Sequence, residues 1–200
     1  MRFRYLFLLL LLALYFWYYG DFGSAPTLGI LAPDEPVQLP VPPGEQTPWT
    51  YHGDKIIPLA RYSIRARLLS REPYWMDTCS QVSPLDFALG WGQMSDPTIY
   101  KKLNISQGMR WYTWHWWNEP SIPEEEIELH SSNNHLIPAT DEINHELFEF
   151  RPGDVVWLTG YLVEVDGPNG WHWVSSLTRT DTGDGSCELI WVKYATKVGR

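Results

Sequence analysis

VVWLTGYLVEV, residues 155–165, is apolar and largely β-branched or aromatic, the composition of a strand that buries at least one face. Asp166 to Gly170 then reads as a turn, Trp171 to Leu177 alternates in polarity, and Cys187 to Tyr194 supplies a final strand, so the last fifty residues read as a three-strand meander. Gly160 would weaken a plain strand and therefore predicts a bulge or a sharp bend of a barrel.

The chain before this meander carries signals of both periods. Ile56 to Leu69 puts Tyr62, Ile64, Ala66 and Leu68 on one alternating face and Arg61, Arg65 and Arg67 on the other, as a half-buried strand does. Ser83-Pro84-Leu85-Asp86 has a capping serine, a proline at the first helical position and an acid in the first turn, which predicts a short helix through Phe87, Ala88 and Leu89 to Gly90. Asp96-Pro97 is a second start of the same kind, and Thr140 or Asp141 caps a helix carrying Ile143, Leu147 and Phe148 that ends at Arg151-Pro152-Gly153-Asp154. From Met109 to Trp117, Trp111, Thr113, His115 and Trp117 alternate with Tyr112, Trp114 and Trp116, a strand expected between two covers. Together these predict an α+β fold: a small antiparallel, partly closed β-barrel of OB-like type with short helical insertions, preceded by an N-terminal transmembrane helix.

That helix rests on residues 1–20, where Arg2 and Arg4 precede an uncharged run from Tyr5 to Tyr19. Trp17, Tyr18 and Tyr19 resemble an interfacial aromatic belt, and the nearest small-residue site, Gly23-Ser24-Ala25, is followed by Pro26, so an uncleaved signal-anchor is expected over a cleaved signal. The arginines place the N-terminus inside and the domain outside. Residues 21–50 contain seven prolines, at 26, 33, 36, 40, 42, 43 and 48, and read as a linker, leaving residues 51–200 as one extracytoplasmic globular domain.

The formal charge of the 200-residue chain is −9. A phosphate backbone would be repelled, which argues against a nucleic-acid partner. Ten of the twelve tryptophans follow residue 50, and such rings serve a dense core or an aromatic binding face equally well. If Trp111, Trp114, Trp116, Trp171 and Trp173 formed one exposed strip, they would stack on a glycan or anchor an envelope protein; core packing is the plainer reading.

Cys79 and Cys187 are the only cysteines, and outside the cytoplasm a disulfide between them is expected. The sharper reading makes Cys187 a nucleophile served by a histidine. His130 and His135 bracket Ser131-Ser132-Asn133-Asn134 in what reads as a loop and are candidate metal ligands, although five-residue spacing is not that of a helix face. Arg179, Asp181, Asp184 and Glu188 flank the glycine-rich loop from Thr180 to Ser186, which suits acid–base work, a calcium site over Asp181 to Gly185, or a plain connector. No cofactor-binding motif is present.

Three stretches, Leu85 to Asp96, His130 to Ala139, and Ser175 to Arg179 with Cys187-Glu188-Leu189, together resemble a family of uncharacterised bacterial membrane-anchored proteins over roughly residues 55–195. The resemblance implies a bacterial envelope location and a single domain, and carries over no catalytic residue. The expectation is thus a binding or assembly module tethered to the inner membrane through residues 1–20, facing the periplasm. Its alternative is a periplasmic hydrolase using Cys187 or a His130/His135 metal site.

Overall fold

A computed structural model describes residues 5, 9–12, 28–117 and 119–199. It is mostly β-sheet with a few short helices, and five of its strands close a ring. The key element is β3, Asp54–Pro73, which is long enough to serve two neighbours. Its first part pairs antiparallel with β8, Val155–Asp166, and its last part with β4, Leu85–Gly90. β4 pairs with β7, Ser131–Pro138; β7 runs parallel to β10, Glu188–Val198; and β10 returns antiparallel to β8. Register shifts at Pro58/Ala60 and Leu68/Ser70 interrupt the ladders of β3, and bulges of this kind bend a long strand around a closed sheet.

Alternation fills the ring. Tyr62, Ile64, Ala66 and Leu68 of β3 point inward as expected, meeting Leu85, Phe87 and Leu89, Leu136, Leu158 and Leu162, and Ile190 and Val192 from the other four strands. The helix α3, Asp141–Glu149, adds Leu147 to this core, and its Thr140 cap accepts from the amide of Ile143. α1, Pro97–Tyr100, starts at Asp96, whose carboxylate accepts from the Thr98 amide. α2 spans Glu124–Leu129.

Two further apolar clusters cover the outside. One joins Ile137, Val163, Val165, Leu189 and Trp191 to Trp49 and Tyr51 of β2, Trp49–Tyr51, and to Trp173 of β9, His172–Val174. The other joins Leu69 and Ala88 to Tyr100, Ile122 and Ile127 under a separate two-stranded sheet of β5, Asn104–Gly108, and β6, Trp111–His115.

Several expectations are corrected. Leu85 to Gly90 is a strand, not a helix: all six residues are buried between β3 and β7, and pairing on both edges overrides cap signals too short to sustain a helix. Ser131 to Asn134, read as a loop, opens the central strand Ser131–Pro138 between β4 and β10. β10 does not follow β9 in a meander; it lies between β8 and β7. β6 has one covered face, not two, since Trp111, Thr113 and His115 are exposed. Arg67 is buried, with Nε donating to the Ser95 carbonyl at 2.9 Å.

The proline-rich segment also joins the fold. β1, Val37–Pro40, pairs with β3, Ala32 is buried and bonds Ser95, and Glu35 accepts from the Trp91 indole; proline-rich extended chain suits an edge position where few amides must pair. Among the described residues no helix is long and apolar enough to cross a membrane. The expected transmembrane helix falls largely outside those residues, with Tyr5 and Leu9 to Leu12 helical.

Gly160 sits where β10 bulges between Val192 and Tyr194, and a Cβ there would collide with the Trp191 carbonyl oxygen. Gly160→Ala is therefore expected to lower stability by about 3 kcal/mol, because the atoms it would meet are backbone of β10, which cannot repack as a side chain would. Urea denaturation of the two proteins reads this directly, and an unchanged midpoint would show that the ring relaxes there.

Candidate functional site

On the ring's outer surface, at the seam between the two covering clusters, three adjacent strands bring polar groups together. Asp86 of β4 lies directly across from His135 of β7, and His135 across from Leu189 of β10. Because alternate residues share a face, Asp86 sits with Ala88, His135 with Asn133 and Ile137, and Cys187, just before β10, with Leu189.

Asp86 is completely buried. Its Oδ2 is 2.9 Å from His135 Nδ1, and its Oδ1 accepts from Arg110 Nη1 at 2.8 Å. The rest of the Arg110 fork closes on Asp77, Nε to Oδ2 at 2.9 Å and Nη2 to Oδ1 at 2.8 Å, and its guanidinium lies 3.8 Å from the centre of the Tyr74 ring. Burial opposes charge on His135, but the Asp86 carboxylate and the Cys187 sulfur beside it outweigh this and push its pKa up to about 9. At neutral pH the site therefore holds an imidazolium beside a cysteine. The ring also packs against Trp173, centroids 4.6 Å apart.

Cys187 is partly exposed and belongs to two cavities. The larger, 390 Å³, is walled by Trp111, Trp171, Trp173, Arg110, His135 and Cys79. The smaller, 170 Å³, is walled by Trp111, Trp114, Asn133, Arg179, Asp181 and Glu188, among others. Trp111 and Cys187 are common to both, so the sulfur stands at their junction beneath an exposed indole.

The expected bridge between Cys79 and Cys187 is not formed in the structure. Both thiols are free, and Cys187 faces Asn133, whose Nδ2 is 3.8 Å from Sγ, as well as His135. Burial pushes the Cys79 thiol up, which disfavours its thiolate.

His130 and His135 do not converge on a metal. His130 caps the end of α2, before β7 begins, whereas His135 lies inside that strand. His130 Nε2 meets Glu35 at 3.2 Å while His135 meets Asp86. Among the described residues the group with metal-ligand spacing is Glu164, Asp166 and His172, on the β8–β9 hairpin, where Lys55 already faces Asp166 at 3.6 Å.

Arg179 pairs with the buried Glu188 and lies over the Tyr62 and Trp91 rings. Asp181 accepts from Ser176 Oγ at 2.6 Å; this structures the loop rather than forming an acid pair. The tryptophans divide instead of making one strip. Trp114 and Trp116 stack on each other and pack on the β5–β6 side, while Trp171 and Trp173 belong to the other cluster; Trp114 lines the smaller cavity and Trp171 and Trp173 the larger.

Asp86, Arg110, Asp77 and Asn133 escaped the sequence reading. Asp86 had a signal, a lone carboxylate inside an apolar run, since such a charge must find partners when buried. Compared with known proteins, the chain matches no family model, no curated protein and no solved structure.

A histidine whose folded pKa is raised stabilises the fold fully below its unfolded value, about 6.5, and loses that contribution as pH rises through the folded value. The stability difference between the natural protein and His135→Gln should thus be constant below about pH 6.5 and shrink toward pH 9. Urea denaturation across that range checks it; a difference that grows with pH would show that His135 is neutral in the fold.

Proposed function

We propose that this chain is a cysteine-dependent hydrolase, with Cys187 as nucleophile, His135 as the group that holds and returns its proton, and Asp86 as the buried carboxylate that orients the imidazole. The observation that carries this is the grouping of three side chains on one face of β4, β7 and the residue just before β10, with Asp86 2.9 Å from His135 Nδ1 and His135 lining the same cavity as Cys187. Nucleophile, base and orienter in that order are the geometric signature of covalent catalysis. Arg110 and Asp77 are positioning residues: they hold the second oxygen of Asp86 so that the first faces Nδ1.

The arrangement also supports an OB-like barrel. A five-stranded Greek-key barrel of that type uses the face of its second and third strands for ligands, and here Asp86 and His135 lie on the second and third strands of the ring counted from β3. The uncharged run after Arg2 and Arg4 supports a membrane tether through residues 1–20 that presents the domain to the periplasm. A second reading, an envelope binding module for a glycan or protein, draws on the tryptophans that wall both cavities.

Labelling with iodoacetamide and hydrolysis of p-nitrophenyl acetate separate the two. Cys187→Ala is expected to abolish hydrolysis and, with Cys79 also replaced by Ala, labelling as well, and His135→Ala to slow hydrolysis by about 10²-fold or more, while Cys79→Ala alone leaves hydrolysis in place. Hydrolysis that survives in Cys187→Ala would remove the enzyme reading and leave the binding module.

A further inference from the structure

Asn133 has no part in the trio, yet it is one of the most constrained polar side chains near it. It is 5% exposed and shares the outer face of β7 with His135. Gln107 Nε2 donates to its Oδ1 at 2.8 Å, its Nδ2 donates to the Arg110 carbonyl at 3.0 Å, and the same Nδ2 lies 3.8 Å from Cys187 Sγ. These contacts fix which end of the amide is nitrogen. One N–H is spent on the backbone; the other is turned toward the sulfur, where it has only a weak acceptor.

The chain holds this geometry at a cost. Met109 and Arg110, at the tip joining β5 to β6, both have positive φ, 52° and 68°, a conformation unfavourable for side chains of this size. The tip is pinned by the Tyr74 hydroxyl, which accepts from the Arg110 amide at 2.9 Å, and the Arg110 carbonyl is thereby presented to Asn133. The same hairpin supplies Gln107, so both anchors of the Asn133 amide come from one covering sheet.

Resting on Cys187 as the nucleophile, we propose that the substrates are acyl compounds, esters, thioesters or amides, and that Asn133 Nδ2 is the catalytic donor to the carbonyl oxygen. Sγ bonds to the carbonyl carbon while the thiol proton is held on His135, and the carbon–oxygen π pair moves onto the oxygen. A donor this close to the sulfur can reach that oxygen at about 2.7–3.1 Å, the separation that stabilises a developing oxyanion. Collapse re-forms the carbonyl, breaks the bond to the leaving group and passes it the proton from His135, leaving a thioester on Cys187. Water then adds to the thioester in the same way, releasing the carboxylic acid and restoring the thiol. The two cavities that meet at Cys187 give the acyl and leaving groups separate sides.

The test compares two reactions of one sulfur. Iodoacetamide alkylates Cys187 at a saturated carbon, with no charge developing on a carbonyl bonded to sulfur; p-nitrophenyl acetate acylates it through an oxyanion. Asn133→Ala is expected to slow acylation about 10²- to 10³-fold while alkylation changes by less than about threefold, with Asn133→Asp, which keeps the shape but not the donor, losing at least as much. Circular dichroism of both variants establishes that they fold, and either variant alone suffices for the comparison. Equal loss in the two reactions, or acylation that is not slowed, overturns the role of Asn133 while leaving Cys187-dependent acylation of the natural protein intact. A natural protein whose Cys187 reacts with neither probe overturns the nucleophile itself, and this inference with it.

Discussion

The carboxylate of Asp86 has no contact with solvent, and a charge in that position is tolerated only when it is paired and hydrogen-bonded. Its two oxygens find two partners, Arg110 and His135, and neither is local. His135 comes from the next strand, while Arg110 comes from the tip of a hairpin that belongs to a different sheet. Meeting the needs of one buried charge therefore ties the ring to its cover. The tip of the β5–β6 hairpin cannot drift without uncovering Asp86, and His135 cannot turn away without leaving the carboxylate half-paired.

This constraint sets the electrostatics of the rest of the site. Burial alone would keep His135 neutral, but the paired carboxylate holds it charged, so the sulfur at the start of β10 faces a cation instead of an apolar wall. Cys79, which lines the same cavity, has its thiol pushed up by burial.

The aromatic residues take their place around this polar seam rather than across the whole surface. Each covering cluster takes its own tryptophans, Trp114 and Trp116 in one and Trp49, Trp171, Trp173 and Trp191 in the other, and some of their edges form walls of the cavities. Apolar walls around a few convergent polar groups are the usual make-up of a small-molecule site, and the same walls would exclude water from an oxyanion forming next to Asn133.

Much of the ring was legible in the sequence. The period-two face of Tyr62, Ile64, Ala66 and Leu68, the Asp96 and Thr140 caps, the strand from Val155 and the special role of Gly160 all follow from short-range rules of sterics and alternation. The site was legible only in pieces: Cys187 and His135 stood out by type, whereas Asp86 was hidden in what reads as a helix start and Asn133 in what reads as a loop. Those two segments share a cause. A strand buried on both faces shows no alternation, and polar residues such as Ser132, Asn133 and Asn134 are read as solvated until a neighbouring strand is known to satisfy them.

The sequence by itself determined the local elements and the presence of an isolated thiol at a loop–strand junction, because these depend on residues a few positions apart. Only the tertiary structure decided which histidine meets that thiol and which carboxylate stands behind it. Pairing between β4, β7 and β10 is non-local, and a slip of one residue in any of the three would turn Asp86, His135 or the residue beside Cys187 to the opposite face of the sheet.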